Sequence, residues 1–327
     1  MIGDRCLVVA NEHRSPITCN QGAVMADLSV NIGRLHMKTP VMVASGTFGY
    51  GPEYAELVDL NKLGAIVVKG IALHPTKGNE TPRTVEVASG LINAIGLPNP
   101  GVDGFVAQYM PFLRQYDVPV IVNIWGKTVE EYVEVARRFD HVDGVHALEV
   151  NVSCPNIKEG SALFGTDLDL FRRVVDGVRG ATKLTVIPKL APNVSDIKVF
   201  ARAAEDAGAD GISLINSVPA MAVDVETRKP RLANVTGGLT GPGIHSLAVR
   251  LVWEAAGAVN IPVVGIGGIT KAEDALEFLM VGASAVAVGT ASFTHPATAL
   301  EVTDGIAEYL DRHGLSSVGE LVGTVLL

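Results

Sequence analysis

Two lysines sit in apolar company. One segment reads Val67-Val68-Lys69-Gly70 and another Ile187-Pro188-Lys189-Leu190. A lysine among apolar neighbours loses hydration, so it needs an anionic partner or a ligand. A buried Lys–Asp or Lys–Glu pair would satisfy either one alone. Two such lysines closing separate strands suit a carboxylate, a phosphate or an electron-rich ring. Carboxamides and hydroxyls end further apolar runs: Asn123, Asn151 with Ser153, and Asn216 with Ser217, while Leu91–Asn99 contributes Asn93. A single Asn is usually a turn residue or a cap. Several together both donate and accept, which fits a flat heterocycle of alternating carbonyl and N–H groups.

Glycines mark two later run ends, Gly265-Ile266-Gly267-Gly268-Ile269-Thr270 and Val288-Gly289-Thr290. Glycine lets backbone N–H groups approach an anion, so these ends predict a phosphate seat. The third glycine of a dinucleotide fingerprint is missing. Between the lysines lies Asn151-Val152-Ser153-Cys154-Pro155-Asn156. A lone cysteine is often a small buried hydrophobe. In a polar loop beside Pro155, a thiol with a reference pKa of about 8.5 suits a nucleophile or a general base. No histidine adjoins it in sequence; His141 and His146 remain open as neighbours in space.

These residues need elements to position them. From residue 40 onward, strand-length apolar runs alternate with longer amphipathic stretches. The runs are Pro40–Ser45, Ala65–Gly70, Val118–Ile124, Ala147–Ser153, Thr185–Leu190, Gly211–Asn216, Ile261–Gly265 and Ala285–Gly289. Helices are predicted over Pro52–Lys62, Val129–Phe139, Asp167–Arg179, Ser195–Ala207, Ile244–Ala256, Lys271–Met280 and Ala297–Arg312. Ser195 with Asp196, and Thr270 with Glu273, read as N-caps, while Gly208 and Gly282 read as stops. Eight such units in about 250 residues predict an α/β fold, a (β/α)8 TIM barrel, with an open doubly wound sheet as the alternative. Chemistry then belongs at the C-terminal ends of the strands. Leu28–Met37 reads as an N-terminal hairpin plugging the barrel floor. Leu73–Leu97 and Val218–Leu239 are insertions in the C-terminal-face loops. Residues 1–24 read as a loosely ordered extension, and 25–327 as one barrel domain.

Composition narrows the classes. The chain has 327 residues, a formal net charge of −9, 48% hydrophobic and 19% charged residues. That is too apolar for disorder and lacks the basic footprint of a nucleic-acid binder. Three cysteines, Cys6, Cys19 and Cys154, are too few for a disulfide framework or for the four thiolates of an iron–sulfur cluster. No apolar run reaches the roughly 18 residues of a membrane span. No metal site is read. The expectation is a reduced, cytoplasmic protein that engages neither membrane nor nucleic acid.

Asn151–Asn156, Asn93–Asn99, Ala44-Ser45-Gly46, Lys69 and Gly267-Gly268 together resemble the dihydroorotate dehydrogenases, from about Leu28 to the end of the chain. The loop from Cys154 through Gly160 to Phe164-Gly165-Thr166-Asp167 is similar to the class 1B catalytic subunit. The resemblance implies one FMN per chain and oxidation of dihydroorotate to orotate in pyrimidine synthesis. It implies flavin contacts from Ser45, Lys69, Gly70, Asn123, Asn151, Lys189, Ile215, Gly241, Gly267, Gly268, Gly289 and Thr290, the last four around the phosphate. Substrate contacts would come from Lys69, Asn93, Ala94, Ile95, Gly96, Leu97, Asn151, Asn156, Asn216 and Ser217. Cys154 would take the C5 proton while hydride leaves C6 for flavin N5. It also implies a homodimer and a partner subunit carrying FAD and an iron–sulfur cluster, a heterotetramer that reduces NAD⁺. Trp125, where a small residue is commoner, departs from the pattern and is expected to crowd the flavin side. The alternatives are another FMN barrel acting on a pyrimidine, such as a dihydropyrimidine dehydrogenase-like subunit, a non-redox phosphate-binding isomerase or synthase, and a non-catalytic binding subunit.

Overall fold

The protein is described from a computed structural model, over residues 26–152 and 164–326. A hairpin comes first: β1 (Val30–Ile32) and β2 (Leu35–Met37) pair antiparallel around Gly33-Arg34. Next are β3 (Val41–Val43) and β4 (Ile66–Ile71), then a second hairpin of β5 (Thr84–Val87) and β6 (Gly90–Asn93). The chain continues through β7 (Val120–Ile124), β8 (Ala147–Asn151), β9 (Thr185–Lys189) and β10 (Ile212–Leu214). An excursion follows, of β11 (Val218–Met221), β12 (Val223–Asp224), β13 (Lys229–Pro230) and β14 (Thr236–Thr240). The last strands are β15 (Val263–Ile266) and β16 (Ala285–Val288).

Strands β3, β4, β7, β8, β9, β10, β15 and β16 form a closed parallel barrel, in which β16 pairs back onto β3. All residues of β7, β8 and β9 are buried. Continuous apolar runs produce this, because a parallel strand is covered on both faces. Outward positions such as Val122, Leu148 and Val150 share a core with Tyr132, Phe139 and Phe171 of the surrounding helices. Those helices are α1 (Gly101–Gln108), α2 (Met110–Leu113), α3 (Val129–Phe139), α4 (Leu168–Ala181), α5 (Ile197–Asp206), α6 (His245–Ala256), α7 (Ala272–Met280), α8 (Ala291–Thr294) and α9 (Thr298–His313). Thr128, Asp167 and Asp196 cap α3, α4 and α5 by accepting N–H bonds.

Inward positions change character along the strands. Near the floor, Met42, Ala65, Ile121, Ala147, Val264 and Ala285 pack with Ile32, Leu35 and Met37 of the first hairpin. The plug is pinned where the Arg34 N–H donates to Thr185 Oγ1 at 3.2 Å. Two residues further along each strand, the same face turns polar. Ile121 gives way to Asn123, Ala147 to Glu149 and then Asn151, Ile187 to Lys189, and Val67 to Lys69. The period of two thus stacks an apolar floor under a polar mouth.

The two insertions join each other. Strands β11, β14, β6 and β5 make one antiparallel sheet, with Leu239 opposite Ile92 and Gly238 opposite Asn93.

Three local expectations need correction. Residues 52–62 are turns ending in a short 3-10 helix, Leu60–Lys62, rather than an α-helix. Asp59 competes for the backbone there, accepting from the Asn61 N–H at 3.1 Å. Helices α1 and α2 were not anticipated; Asn99 Oδ1, 2.9 Å from the Gly101 N–H, starts the first. At α7 the capping carboxylate is Asp274, not Glu273: its Oδ2 accepts from Thr270 N–H and hydroxyl and from Lys271 N–H. The N-cap is Lys271, which places Asp274 at the third helical position. Gly208 and Gly282 follow α5 and α7 with φ of 82° and 113°, the left-handed stop for which glycine is suited.

Candidate active site

The C-terminal ends of the barrel strands open into a cavity of about 680 Å³, a volume typical of small-molecule and cofactor sites. Ser45 and Thr47 enter it after β3, Lys69 and Gly70 from β4, and Asn123 from β7. Asn151, Lys189, Ile215, Asn216 and Ser217 follow from β8 to the end of β10. Asn93, Ile95, Gly96 and Leu97 reach it from the first insertion, and Gly241, Gly267, Gly268, Gly289 and Thr290 line the far side. Eighteen positions singled out from the sequence thus meet around one cavity.

Beneath the mouth, Glu149 organises the buried polar layer. Its Oε2 accepts from Asn123 Nδ2 at 2.6 Å and from Ser45 Oγ at 3.2 Å. Its Oε1 accepts from Ser213 Oγ at 2.9 Å and lies 3.6 Å from Lys189 Nζ. Lys189 therefore has the buried carboxylate partner that the bland sequence reading required, and it still lines the cavity. Asn151 stands opposite Lys189 in the β8–β9 register. Its Oδ1 accepts from Asn216 Nδ2 at 3.1 Å, and its carbonyl accepts from the Tyr132 hydroxyl at 2.8 Å. Asn93 Nδ2 donates to the Gly238 carbonyl at 3.2 Å, a bond between neighbouring strands of the insertion sheet.

Lys69 differs from Lys189. Among the described residues no carboxylate lies within ion-pair distance of its Nζ. Burial pushes its pKa below the ordinary lysine value; Glu53 opposes that shift and Arg83 adds to it. A cation held this way is stabilised by an incoming anion.

The glycine side is shaped for close backbone approach. Gly267 and Gly268 have φ of 146° and 68°. A Cβ on Gly267 would stand 2.6 Å from Ala248 Cβ, and one on Gly268 2.8 Å from His245 Cβ. His245 Nδ1 lies 3.0 Å from the Gly267 carbonyl and holds that turn against α6.

Some expected residues are not in this cluster. Cys154, with Ser153 and Asn156, lies outside the described residues. Ala94 does not reach the cavity: it is 1% exposed and packs with Val85, Ile92 and Leu232 in the insertion sheet. Trp125 does not crowd the mouth but is buried behind it, its Cδ1 3.2 Å from where a Gly70 Cβ would stand. His146 belongs to the other end of the barrel. It precedes β8, where its Nδ1 accepts the Val120 N–H at 3.1 Å. Glu149 and Ser213 were missed by sequence reasoning. An acidic residue inside Ala147-Leu148-Glu149-Val150-Asn151 was the available signal.

No helix among the described residues is long and apolar enough to cross a membrane. No group of three or more His, Cys, Asp or Glu among them is placed to hold a metal ion.

Comparison with known proteins agrees with this architecture. The family model described as dihydroorotate dehydrogenase matches residues 27–310. A relative from Pelobacter propionicus, named dihydroorotate dehydrogenase B (NAD(+)), catalytic subunit, is 52% identical over 91% of this chain and 98% of its own length. Relatives of the same name from Desulforamulus reducens and Bacteroides thetaiotaomicron are 52% and 50% identical, each over 92% of this chain and 99% of their own. A solved structure of a DHODH from Eimeria tenella in complex with ferulenol shares the fold, with a TM-score of 0.78 at 23% identity, covering 91% of this chain and 88% of that one. The chain belongs to the dihydroorotate dehydrogenase family.

Proposed function

We propose that this chain oxidises dihydroorotate to orotate on a bound FMN and passes the electrons to a separate subunit. The family is flavin-dependent in general. The observation that carries the FMN reading is the cavity itself. It joins a wall of side-chain donors and acceptors, Ser45, Lys69, Asn123, Asn151 and Lys189, to a backbone cradle at Gly267 and Gly268, where positive φ and tight packing on α6 call for glycine. The wall suits an isoalloxazine ring and the cradle suits a phosphate. Gly241, Gly289 and Thr290 complete the phosphate side, and Gly70 and Ile215 flank the ring.

FMN, when bound, supplies the acceptor for the electron pair that leaves C6 with its hydrogen. The chain supplies the rest. Lys69 receives the substrate carboxylate, because its ammonium is short of hydration and, among the described residues, of an ion-pair partner. Asn93, Asn151, Asn156 and Asn216 fix the pyrimidine ring through paired amide contacts, with Ile95 to Leu97 and Ser217 closing around it. Cys154 as thiolate takes the C5 proton. Transfer of the C5 proton to sulfur, with the C6 hydride going to the group that these residues would hold, would leave the C5–C6 double bond of orotate. Amide donors near the ring carbonyl stabilise the enolate charge that develops.

The name of the relatives, catalytic subunit, describes one part of an assembly. For this chain the proposal is a homodimer that joins a partner carrying FAD and an iron–sulfur cluster, in the cytoplasm. The test is anaerobic. Purified chain reconstituted with FMN is mixed with dihydroorotate, and loss of the oxidised flavin's visible absorption is followed. Bleaching with formation of orotate is the expected result. Protein that binds FMN but is not bleached removes dihydroorotate as substrate, and protein that takes up no FMN moves the site to non-redox phosphate chemistry.

A further inference from the structure

Glu149 does not line the cavity, yet it contacts four side chains that do or that adjoin it, Ser45, Asn123, Lys189 and Ser213. The residue is 3% exposed, and its neighbours Asn123 and Ser213 are each 1% exposed. An ionised carboxylate accepts hydrogen bonds and cannot donate them. Asn123 must therefore turn its Nδ2 toward Glu149, at 2.6 Å. Its Oδ1 is then directed the other way, 2.9 Å from where a Gly70 Cβ would stand. Ser45 is constrained likewise, because its hydroxyl proton is committed to Glu149 Oε2. What these two residues can still offer the cavity is the lone pairs of Ser45 Oγ and Asn123 Oδ1 and the second Nδ2–H of Asn123. Of the two lysines of this wall, Lys189 is the one beside Glu149, and its charge is partly balanced by Glu149 Oε1 at 3.6 Å.

We infer that Glu149 is a positioning residue that orients Asn123 and Ser45 and attenuates the charge of Lys189 in this wall of the flavin site, and thereby holds the flavin's reduction potential down. This rests on the flavin reading above. The electrostatic sign follows from where the charges are. Reduction adds electrons next to Lys189, which favours it, and Glu149 opposes it from the layer beneath. A double-mutant comparison isolates the pair, because removing both charges should cancel what removing either one does.

The experiment measures FMN affinity, by recovery of free-FMN fluorescence, and the flavin midpoint potential, by equilibration with reference dyes at fixed pH. Glu149→Gln should raise the ratio of reduced to oxidised flavin at a given potential at least tenfold, a positive shift of about 30 mV for a two-electron couple. It should also weaken FMN binding, since the amide brings a donor to a site that already faces three. Lys189→Met should shift the potential the other way. Glu149→Gln with Lys189→Met should return it to within threefold of the wild-type ratio. If Glu149→Gln alone does not accumulate as folded protein, the double variant decides: a potential equal to that of Lys189→Met alone overturns the inference. So does a Glu149→Gln protein whose potential stays within threefold of wild type. Wild-type chain that binds no FMN removes the flavin reading itself, a failure distinguishable from either of these.

Discussion

At Lys69, burial strips hydration from the ammonium and Arg83 adds repulsion, so its pKa falls below the lysine value of 10.5 despite the opposing pull of Glu53. A lowered pKa means the free site loses its proton at a lower pH than an ordinary lysine, and a bound carboxylate draws that proton back. Orotate affinity should therefore be flat near neutrality and fall on the alkaline side, beginning below pH 10.5. Lys69→Ala should weaken orotate by about 10- to 100-fold, the scale of a charged hydrogen bond, and should abolish that alkaline limb. Calorimetric titration across pH checks both; an unchanged limb in the variant would assign it to another group. The base makes a separate prediction. Cys154→Ala should retain FMN but slow its reduction by dihydroorotate at least about 10²-fold, read by stopped-flow absorbance, since that is the scale of general-base help. The lysines and asparagines at the mouth were legible because their types are anomalous in apolar runs. Glu149 was equally anomalous inside β8, but its meaning was not legible. Its partners Ser45, Asn123, Lys189 and Ser213 come from four other strands or strand ends, and no local spacing brings them together.

Among the elements, the β1–β2 hairpin shows how far pattern reading reaches. Alternation over Leu28–Met37 predicts a plug, and Ile32, Leu35 and Met37 do fill the floor of the barrel. Leu35 is 2% exposed. Leu35→Ala should cost about 2–5 kcal/mol in denaturant unfolding, the range for a buried leucine whose cavity cannot collapse. Its FMN affinity should stay within twofold, because the floor and the mouth are opposite ends of the barrel. Large loss of FMN at unchanged stability would contradict this separation. The insertions were legible as insertions but not as one sheet. Their pairing joins Leu91–Asn93 to Gly238–Thr240, and long-range register leaves no trace in either segment alone. The turns at 52–62 were misread because their apolar spacing is helical, while Asp59 and the i→i−3 bonding around Tyr54 favour turns.

For the molecule as a whole, the route of the electrons is the open quantity. The sequence has neither a dinucleotide fingerprint nor enough cysteines for a cluster of its own. With dihydroorotate, the isolated chain should reduce dyes or oxygen but yield no NADH, and adding the FAD and iron–sulfur subunit should restore NADH formation. Brisk NAD⁺ reduction by the chain alone would overturn the two-subunit arrangement, and rapid fumarate reduction would redirect it to the class 1A type. The eight-fold alternation made the barrel itself legible. What no local pattern displays is its closure, in which Val286, Ala287 and Val288 pair with Val41, Met42 and Val43. That seam joins opposite ends of the chain, so the barrel's first strand is paired on one side only, to β4, until β16 has been made. A nascent chain halted short of β16 presents two bare sheet edges, each a template for adhesion to its neighbours. On the ribosome, the mouth that gathers Ser45, Lys69 and Thr290 around one cavity is therefore assembled only after β16 has been synthesised.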